Sequence, residues 1–558
     1  MEPADAHALT RANGHMTVMS PVGSPPAIVG KRLAPRLASL EGRTIYLVDS
    51  RFDDSIELLR QVQAWFAEHH PLTHVRLVSL NGYYGRDDPE LWAEIRAEGD
   101  AAILGVGHCS TCAPAVATHA VTLETKFGVP TVTLHTSKFD KVVRSVLRMA
   151  GLPGVPTVFV PQPVMGRSPA ELRAYVDGED PVAGGLVMQH VLEGLTGSPG
   201  EATGSSGGQA RATPRHVSAA SEEELHDLFL SRNWTDKLPI VLPTEERVAA
   251  MLAGTRRGRH EMVGSMQATL NRGAWDYDVE KVAVNAVMAG ARPEYFPVIL
   301  ALAASGFTAR SSSSSSGACM VVVNGPVRAE IGMNAGVGAM GPYNHANATI
   351  GRAYGLLSQN LQGGSVPGES YMGSLGNGHS YTNVTFAENE ERSPWEPLHV
   401  RHGFAPDDSA VSIFFGLRST SFSLGLREKY WREHVRDMLA GVDLVAAPTL
   451  LLDPIAARQF VERGDFRSKE QLVDFIHETA TMPAGRYWDL QLVQNYIYPE
   501  ATRGEPSLAS RLEAGEDEPI RTFLKEAINV VVVGGETNGY WQIMGASHIA
   551  TVGIDAWR

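Results

Sequence analysis

The stretch Ala101-Ala-Ile-Leu-Gly-Val-Gly-His-Cys-Ser-Thr-Cys-Ala-Pro114 decides the fold. Ala101 to Leu104 reads as a short strand buried on both faces. Gly105 and Gly107 turn the chain, Cys109 and Cys112 come next with two residues between them, and Pro114 suits the first turn of a helix. Working outward, the same strand-then-helix alternation repeats. Upstream lie a strand at Thr44–Asp49, a helix over Asp54–His69 with Ile56, Leu59, Val62 and Phe66 at helical spacing, a strand at His74–Leu80 and a helix at Pro89–Ala97. Downstream lie a helix at Ala113–Phe127, a strand at Thr131–Leu134, a helix at Lys138–Ala150 and a strand at Thr157–Val160. Helices near Pro169–Asp177 and Pro181–Leu195 close the unit. Short apolar strands alternating with helices predict an α/β unit, a doubly wound parallel sheet whose ligands bind beyond the C-terminal strand ends.

The chain has 558 residues, enough for three or four domains at roughly 150 residues each. Residues 1–40, rich in Ala, Pro and Gly, read as a flexible arm, ordered only near Leu33–Leu40, 41–195 as the α/β domain, 196–220 as a Gly/Ser-rich linker, and 221–558 as a larger mixed α/β or α+β domain. Ser221-Glu-Glu-Glu224 has the spacing of a capping box where structure resumes. Helices are expected at Thr244–Ala253, Val279–Ala289, Glu294–Ala304, Asn347–Leu361 and Ser468–Thr479, and strands at Cys319–Asn324, Ser409–Phe415 and Ile528–Val533.

Charge and composition exclude some functions. With 48 Lys plus Arg against 62 Asp plus Glu, a dedicated nucleic-acid binder is not expected, because it needs a basic surface to displace counterions. Three cysteines do not make a disulfide scaffold. No secretory leader is visible in Met1–Gly30, and the best apolar run, Val282–Ala304, is broken by Arg292, Pro293, Glu294 and Pro297. A cytoplasmic protein with no membrane partner is the expectation.

Cys109 and Cys112 carry the chemistry. They sit where a strand ends and a helix begins, and a helix N-terminus offers unpaired N–H groups and partial positive charge to a thiolate. A free thiol with pKa near 8.5 is about 3% ionised at pH 7, and such settings lower the value to roughly 3.5–7.5. A protonated His108 would act in the same direction. One sulfur can attack an electrophile and the other can resolve the adduct by closing a disulfide. The turn and helix start predict exposure of the pair; two buried, inert cysteines are the alternative. A zinc site lacks a second Cys pair, so no metal is assigned.

Residues from about Leu40 to Pro163 resemble the UGSC family of (seleno)proteins, called after its Sec-Gly-Ser-Cys motif. The resemblance rests on Leu40-Glu-Gly-Arg-Thr-Ile45, Gly105-Val-Gly107 with Cys109-x-x-Cys112, Gly128-Val-Pro-Thr-Val132 and Val160-Pro-Gln-Pro163. It places Cys109 at the selenocysteine position and Cys112 at the family's cysteine, while Ser110 and Thr111 replace Gly and Ser. It implies thiol or selenol chemistry without fixing a substrate. The C-terminal part resembles poorly characterised proteins associated with that family, which suggests a fused two-protein system.

In the second domain, Gly336, Gly338 and Gly341 precede Asn344, His345 and Asn347 in a loop feeding a helix, readable as an anion loop or as a structural turn. Glu388, Glu390, Trp395, His399 and His402 combine carboxylates with imidazoles, suited to acid–base work or metal binding, or else to a solvated acidic loop. Cys319, in an apolar strand, reads as core or as a third thiol facing Cys109. Val530–Gly539 is a strand opening into a glycine loop, a core strand or another binding edge.

The resulting expectation is a thiol-based oxidoreductase, sulfur transferase or lyase acting on a small molecule held between the two domains, with no cofactor identified and an external thiol as reductant. A homo-oligomer is the base-rate assembly. The alternatives are a His/Glu-based, metal-dependent lyase or hydrolase in the C-terminal domain, with a structural Cys pair, and a dithiol redox sensor without turnover.

Overall fold

The computed structural model describes residues 11–12, 15–197, 213–268, 273–311, 313–363 and 365–558. Five parallel strands, β1 (Thr44–Asp49), β2 (His74–Ser79), β3 (Ala101–Gly107), β4 (Thr131–Thr136) and β5 (Thr157–Val160), lie in the order β2-β1-β3-β4-β5. Successive residues point to opposite faces, and both faces are apolar. Tyr46, Val48, Ala102 and Leu104 pack against α2 (Pro89–Glu98), α3 (Cys112–Thr122) and α4 (Asp140–Met149). Ile45, Leu47, Ala101 and Ile103 pack against α1 (Ser55–His69), α5 (Pro169–Asp177) and α6 (Val187–Thr196). The doubly wound α/β sheet read from the sequence is therefore the architecture of this region. Strand order reverses between β1 and β3, and ligands of such sheets bind in the crevice outside that switch point. The Cys109–Cys112 loop leaves β3 there.

Strand β3 continues to Gly107, past the Leu104 end expected from sequence, because β1 and β4 flank it; its register on β4 shifts between Leu104 and Gly107. Such an irregularity turns the strand end and re-aims the residues just beyond it.

The larger C-terminal region places two sheets face to face between helices. One sheet has the order Thr385–Ala387, Ala318–Asn324, Ala410–Leu417, Ser547–Gly553; the other has Thr420–Leu424, Tyr540–Gly545, Pro448–Leu452, Asn529–Val532. Each combines one parallel pair with two antiparallel pairs, so the region is mixed. Side-chain alternation fixes the layers. Met320 and Val322 meet Leu451 and Val531 between the sheets. Cys319, Val321 and Val323 face the helices Val279–Met288, Phe296–Ala304 and His345–Leu361. Leu450, Leu452, Val530 and Val532 face Trp431–Leu439, Pro454–Gly464 and Lys469–Thr479 on the other side.

The expectation of a flexible arm over 1–40 does not survive beyond residue 15. His15–Met19 forms a strand antiparallel to His216–Ala219, and Met16, Val18 and Met19 are buried in the C-terminal core. A five-residue strand whose partner lies some two hundred positions away has no local signature. Further on, buried Glu124 accepts hydrogen bonds from Ala34 N (2.7 Å), Arg36 Nη1 (2.7 Å) and Thr131 N (2.6 Å), tying the segment after the strand to the first sheet. Of the linker expected over 196–220, residues 198–212 lie outside the described residues.

Candidate thiol site

The cysteine loop is held by its own backbone. Cys112 N–H donates to Cys109 Sγ at 2.9 Å and Cys109 N–H donates to Cys112 Sγ at 3.0 Å, so each sulfur faces the other residue's amide. Ala113 N–H donates to the Cys109 carbonyl at 3.1 Å, opening α3. The approach is tight enough to require glycine at 107: a Cβ there would strike the ring of His135 and come within 2.8 Å of Ala113 Cα. Both thiols are free.

The expected exposure of the pair is not what the structure has. Cys109 is 5% exposed and Cys112 is fully buried, because Tyr83, Tyr84 and Phe52 pack over the loop in the same apolar cluster. Burial works against ionising Cys109, yet the hydrogen bonds from Cys112 and Thr111 outweigh it and hold its pKa below that of an ordinary thiol. Cys112 is pushed well above by burial and by its bond to Cys109. The two sulfurs thus divide into an ionisable one and a protonated one. Thr111 Oγ1 stands 3.4 Å from Cys109 Sγ and 2.6 Å from Tyr84 Oη. When Cys109 is a thiolate, Thr111 donates to sulfur and Tyr84 donates to Thr111.

His108 does not supply positive charge. Burial lowers its pKa, outweighing the Nε2–H bond to the Phe52 carbonyl at 2.9 Å, which works in the opposite sense.

A cavity of about 500 Å³ reaches the cysteine loop at Thr111, with neither sulfur on its wall; it is lined by Tyr83, Tyr84 and Thr111 from the loops of the first sheet and by Phe307, Phe415 and Tyr496 from the C-terminal region. The size suits a small organic ligand. Arg418 also lines it and pairs with Asp443. The helices Gln491–Tyr496 and Tyr498–Thr502 bring this wall onto the sheet rim: Asp53 N–H donates to Asn495 Oδ1 at 2.9 Å, Asn495 Nδ2 donates to Asp53 Oδ1 at 2.7 Å, and Tyr83 N–H donates to Glu500 at 3.0 Å. The Tyr496 ring lies 6.1–6.3 Å, between centroids, from those of Phe52, Tyr83 and Tyr84. Sequence reading missed Tyr83, Tyr84 and Tyr496. The first two lie just past β2, and the rule that ligands bind beyond C-terminal strand ends could have singled them out; nothing local in the sequence marks Tyr496.

The other residues singled out from sequence lie elsewhere. Glu388 is buried and accepts from Lys469 Nζ at 2.5 Å, Asn324 Nδ2 at 2.6 Å and Leu398 N at 2.6 Å. Glu390 binds Asn324, Gly325 N and Arg328. Trp395 is core, its indole N–H on the Phe466 carbonyl, and His399 is fully buried. This cluster gathers at Asn324, whereas the cavity residue Phe415 pairs with Cys319 at the other end of that strand, roughly 17 Å away at ~3.3 Å per residue. Asn344 and Asn347 bind carbonyls of their own loop, and His345 Nδ1 meets the Tyr295 hydroxyl at 3.3 Å. The two glycine loops do meet: Gly534 N–H donates to the Ala335 carbonyl, and Gly338, Gly341, Gly534 and Gly535 line a separate cavity of about 310 Å³. Cys319 is buried in the C-terminal core, its pKa pushed up to about 12 by burial. Among the described residues no group of three or more His, Cys, Asp or Glu side chains could hold a metal, and no helix is long and apolar enough to cross a membrane.

Residues 17–183 match the model of the UGSC family. No curated protein and no solved structure matches this chain.

Proposed function

We propose, from the premise that residues 17–183 match the UGSC family, that the protein is a thiol-dependent enzyme whose Cys109 attacks a small molecule held in the cavity between the first sheet and the C-terminal region. The observation that carries this reading is geometric: Cys109 Sγ accepts the Cys112 N–H at 2.9 Å and stands 3.4 Å from Thr111 Oγ1, and Thr111 lines a cavity of about 500 Å³.

Reductive cleavage of a carbon–heteroatom bond uses both sulfurs. The Cys109 thiolate attacks the heteroatom; the carbon fragment leaves with the bonding pair and takes a proton. Cys112, deprotonated in the step, then attacks Cys109 Sγ, expels the heteroatom group as its anion and closes a disulfide. The substrate gains two electrons, the dithiol loses two, and an external thiol restores it. Sulfur transfer would stop at the Cys109 adduct. The His/Glu alternative has less support, because Glu388 and Glu390 are committed to Lys469, Asn324 and Arg328.

Trapping tests the reading. Cys112→Ser protein incubated with cell extract should gain mass on Cys109 by intact-mass measurement, and Cys109→Ser should gain none. No adduct on Cys112→Ser, or the same adduct on both variants, would remove Cys109 as the nucleophile.

A further inference from the structure

Arg310 has no role in the thiol site, although its neighbour Ser311 lines that cavity. Its side chain is nine-tenths buried and its Nη1 has no hydrogen-bond partner among the described residues. Burial pushes its pKa down, as expected for a cation short of compensation. The guanidinium rests on Gly355 of the helix His345–Leu361, where a Cβ would come within 2.8 Å of Nη2, so the helix is notched to receive it. It lines a cavity of about 450 Å³ together with Asp236, Lys237, Tyr371, Ser380 and Tyr381.

The charges there do not cancel. Asp236, the carboxylate in this wall, is held by Arg352 through two hydrogen bonds, 2.8 and 2.9 Å, and Arg310 has no ion pair of its own among the described residues. Lys237 adds a second cation, its Nζ on the Leu230 carbonyl and Asn233 Oδ1. A buried charge without a partner is costly, and a guanidinium fork matches the planar geometry of a carboxylate or the edge of a phosphate. The Asp236 carboxylate acts on Arg310 electrostatically, ahead of the phenols of Tyr371 and Tyr381, and all three face the same cavity; shared with Arg352, that one carboxylate leaves the wall with a surplus of positive charge.

We propose that this cavity is a second small-molecule site, distinct from the thiol cavity, which binds an oxyanion — a carboxylate or a phosphate group — on the guanidinium of Arg310.

Calorimetric titration of the full chain at constant ionic strength tests it, with inorganic phosphate and succinate as separate probes and chloride as control. Saturable binding of either probe is expected; the probe that binds identifies the anion class. Arg310→Gln should weaken that binding on the order of tenfold or more, the loss expected for a charge-assisted hydrogen bond. Should Arg310→Gln fail to fold, Ser380→Trp, on the partly exposed wall, keeps the cation and fills the cavity, and should abolish binding. Absence of saturable binding by both probes overturns the proposal. So does binding that survives undiminished in Ser380→Trp or in folded Arg310→Gln.

Discussion

The phenol of Tyr84 lies 2.6 Å from Thr111 Oγ1, and Thr111 Oγ1 lies 3.4 Å from Cys109 Sγ. Two hydroxyls thus connect the cavity wall to the sulfur, and both can orient their protons toward a thiolate. Thr111→Val removes the donor next to sulfur without changing side-chain size. Alkylation of Cys109 by iodoacetamide near neutral pH should slow about tenfold, the worth of one hydrogen bond to a charged group. Tyr84→Phe should slow it less, since only the second link is lost. Equal rates in wild type and both variants would mean that the hydroxyls do not stabilise the anion.

The two cysteines should titrate in a set order. Thiolate content rises with pH; Cys109 ionises below an ordinary thiol and Cys112 well above one. Near neutral pH, peptide mapping after brief alkylation should find the label on Cys109, with Cys112 modified only after denaturation. Cys112→Ala deletes the side-chain hydrogen bond that lowers the Cys109 pKa and should move its reactivity profile to higher pH. Cys112→Ser keeps a donor there and should move it less. Preferential labelling of Cys112 in the native protein would reverse the assignment of nucleophile and resolving thiol.

How much of this could be seen beforehand differs by element. The first sheet was legible because each of its strands is a local apolar run and each crossover helix is periodic. The Cys109–Cys112 loop was legible because spacing and helix start are local too. Burial of the pair was not, since it depends on Phe52, Tyr83 and Tyr84, remote in sequence from the loop, and on Tyr496 packed behind them, nearly four hundred positions away. The strand His15–Met19 escaped for the same reason: its partner, His216–Ala219, is remote. Glu388 shows the converse limit. A carboxylate among histidines reads the same whether it meets solvent, substrate or, as here, Lys469 in a buried ion pair.

Asn495 and Asp53 couple the two regions at the site, with reciprocal bonds of 2.9 and 2.7 Å, and Gln491 Nε2 adds a third at 2.8 Å to the same Asp53 carboxylate. Asn495→Asp replaces the donor with a second carboxylate. The helices Gln491–Tyr496 and Tyr498–Thr502 should then open more often, lifting Tyr496 from the loop. Hydrogen exchange over 491–502 should quicken, and Cys109 should alkylate about tenfold faster or more, since losing such a bond costs ~1.5–3 kcal/mol. Faster exchange with unchanged alkylation would show that reagent reaches the sulfur by another path.

Buried and half-buried histidines set the acid side of the stability curve. Burial lowers the pKa of His108 and His119, takes His135 to about 3, and takes His402 and His548 to about 4; the last two also stack at 3.8 Å. Unfolded, each titrates near 6.5. Between that value and its folded pKa, each ring binds a proton in the unfolded chain but not in the native one, so stability falls as pH falls. The buried rings of His108, His119 and His135 each contribute up to ~1.4 kcal/mol per pH unit, and the partly exposed His402 and His548 less, because solvent screens them. Carboxylates titrate lower in the unfolded chain, near 4, so the window from about pH 6.5 to 5 belongs to the histidines. The buried carboxyl of Asp49, raised by burial, works in the opposite sense and favours the native state on acidification. Urea midpoints measured at about pH 7.5, 6.5 and 5.5 should fall most steeply over the last interval, and His135→Gln should flatten that fall by one ring's share. A midpoint that stays level from pH 6.5 to 5.5 would mean that these rings take up protons inside the folded protein.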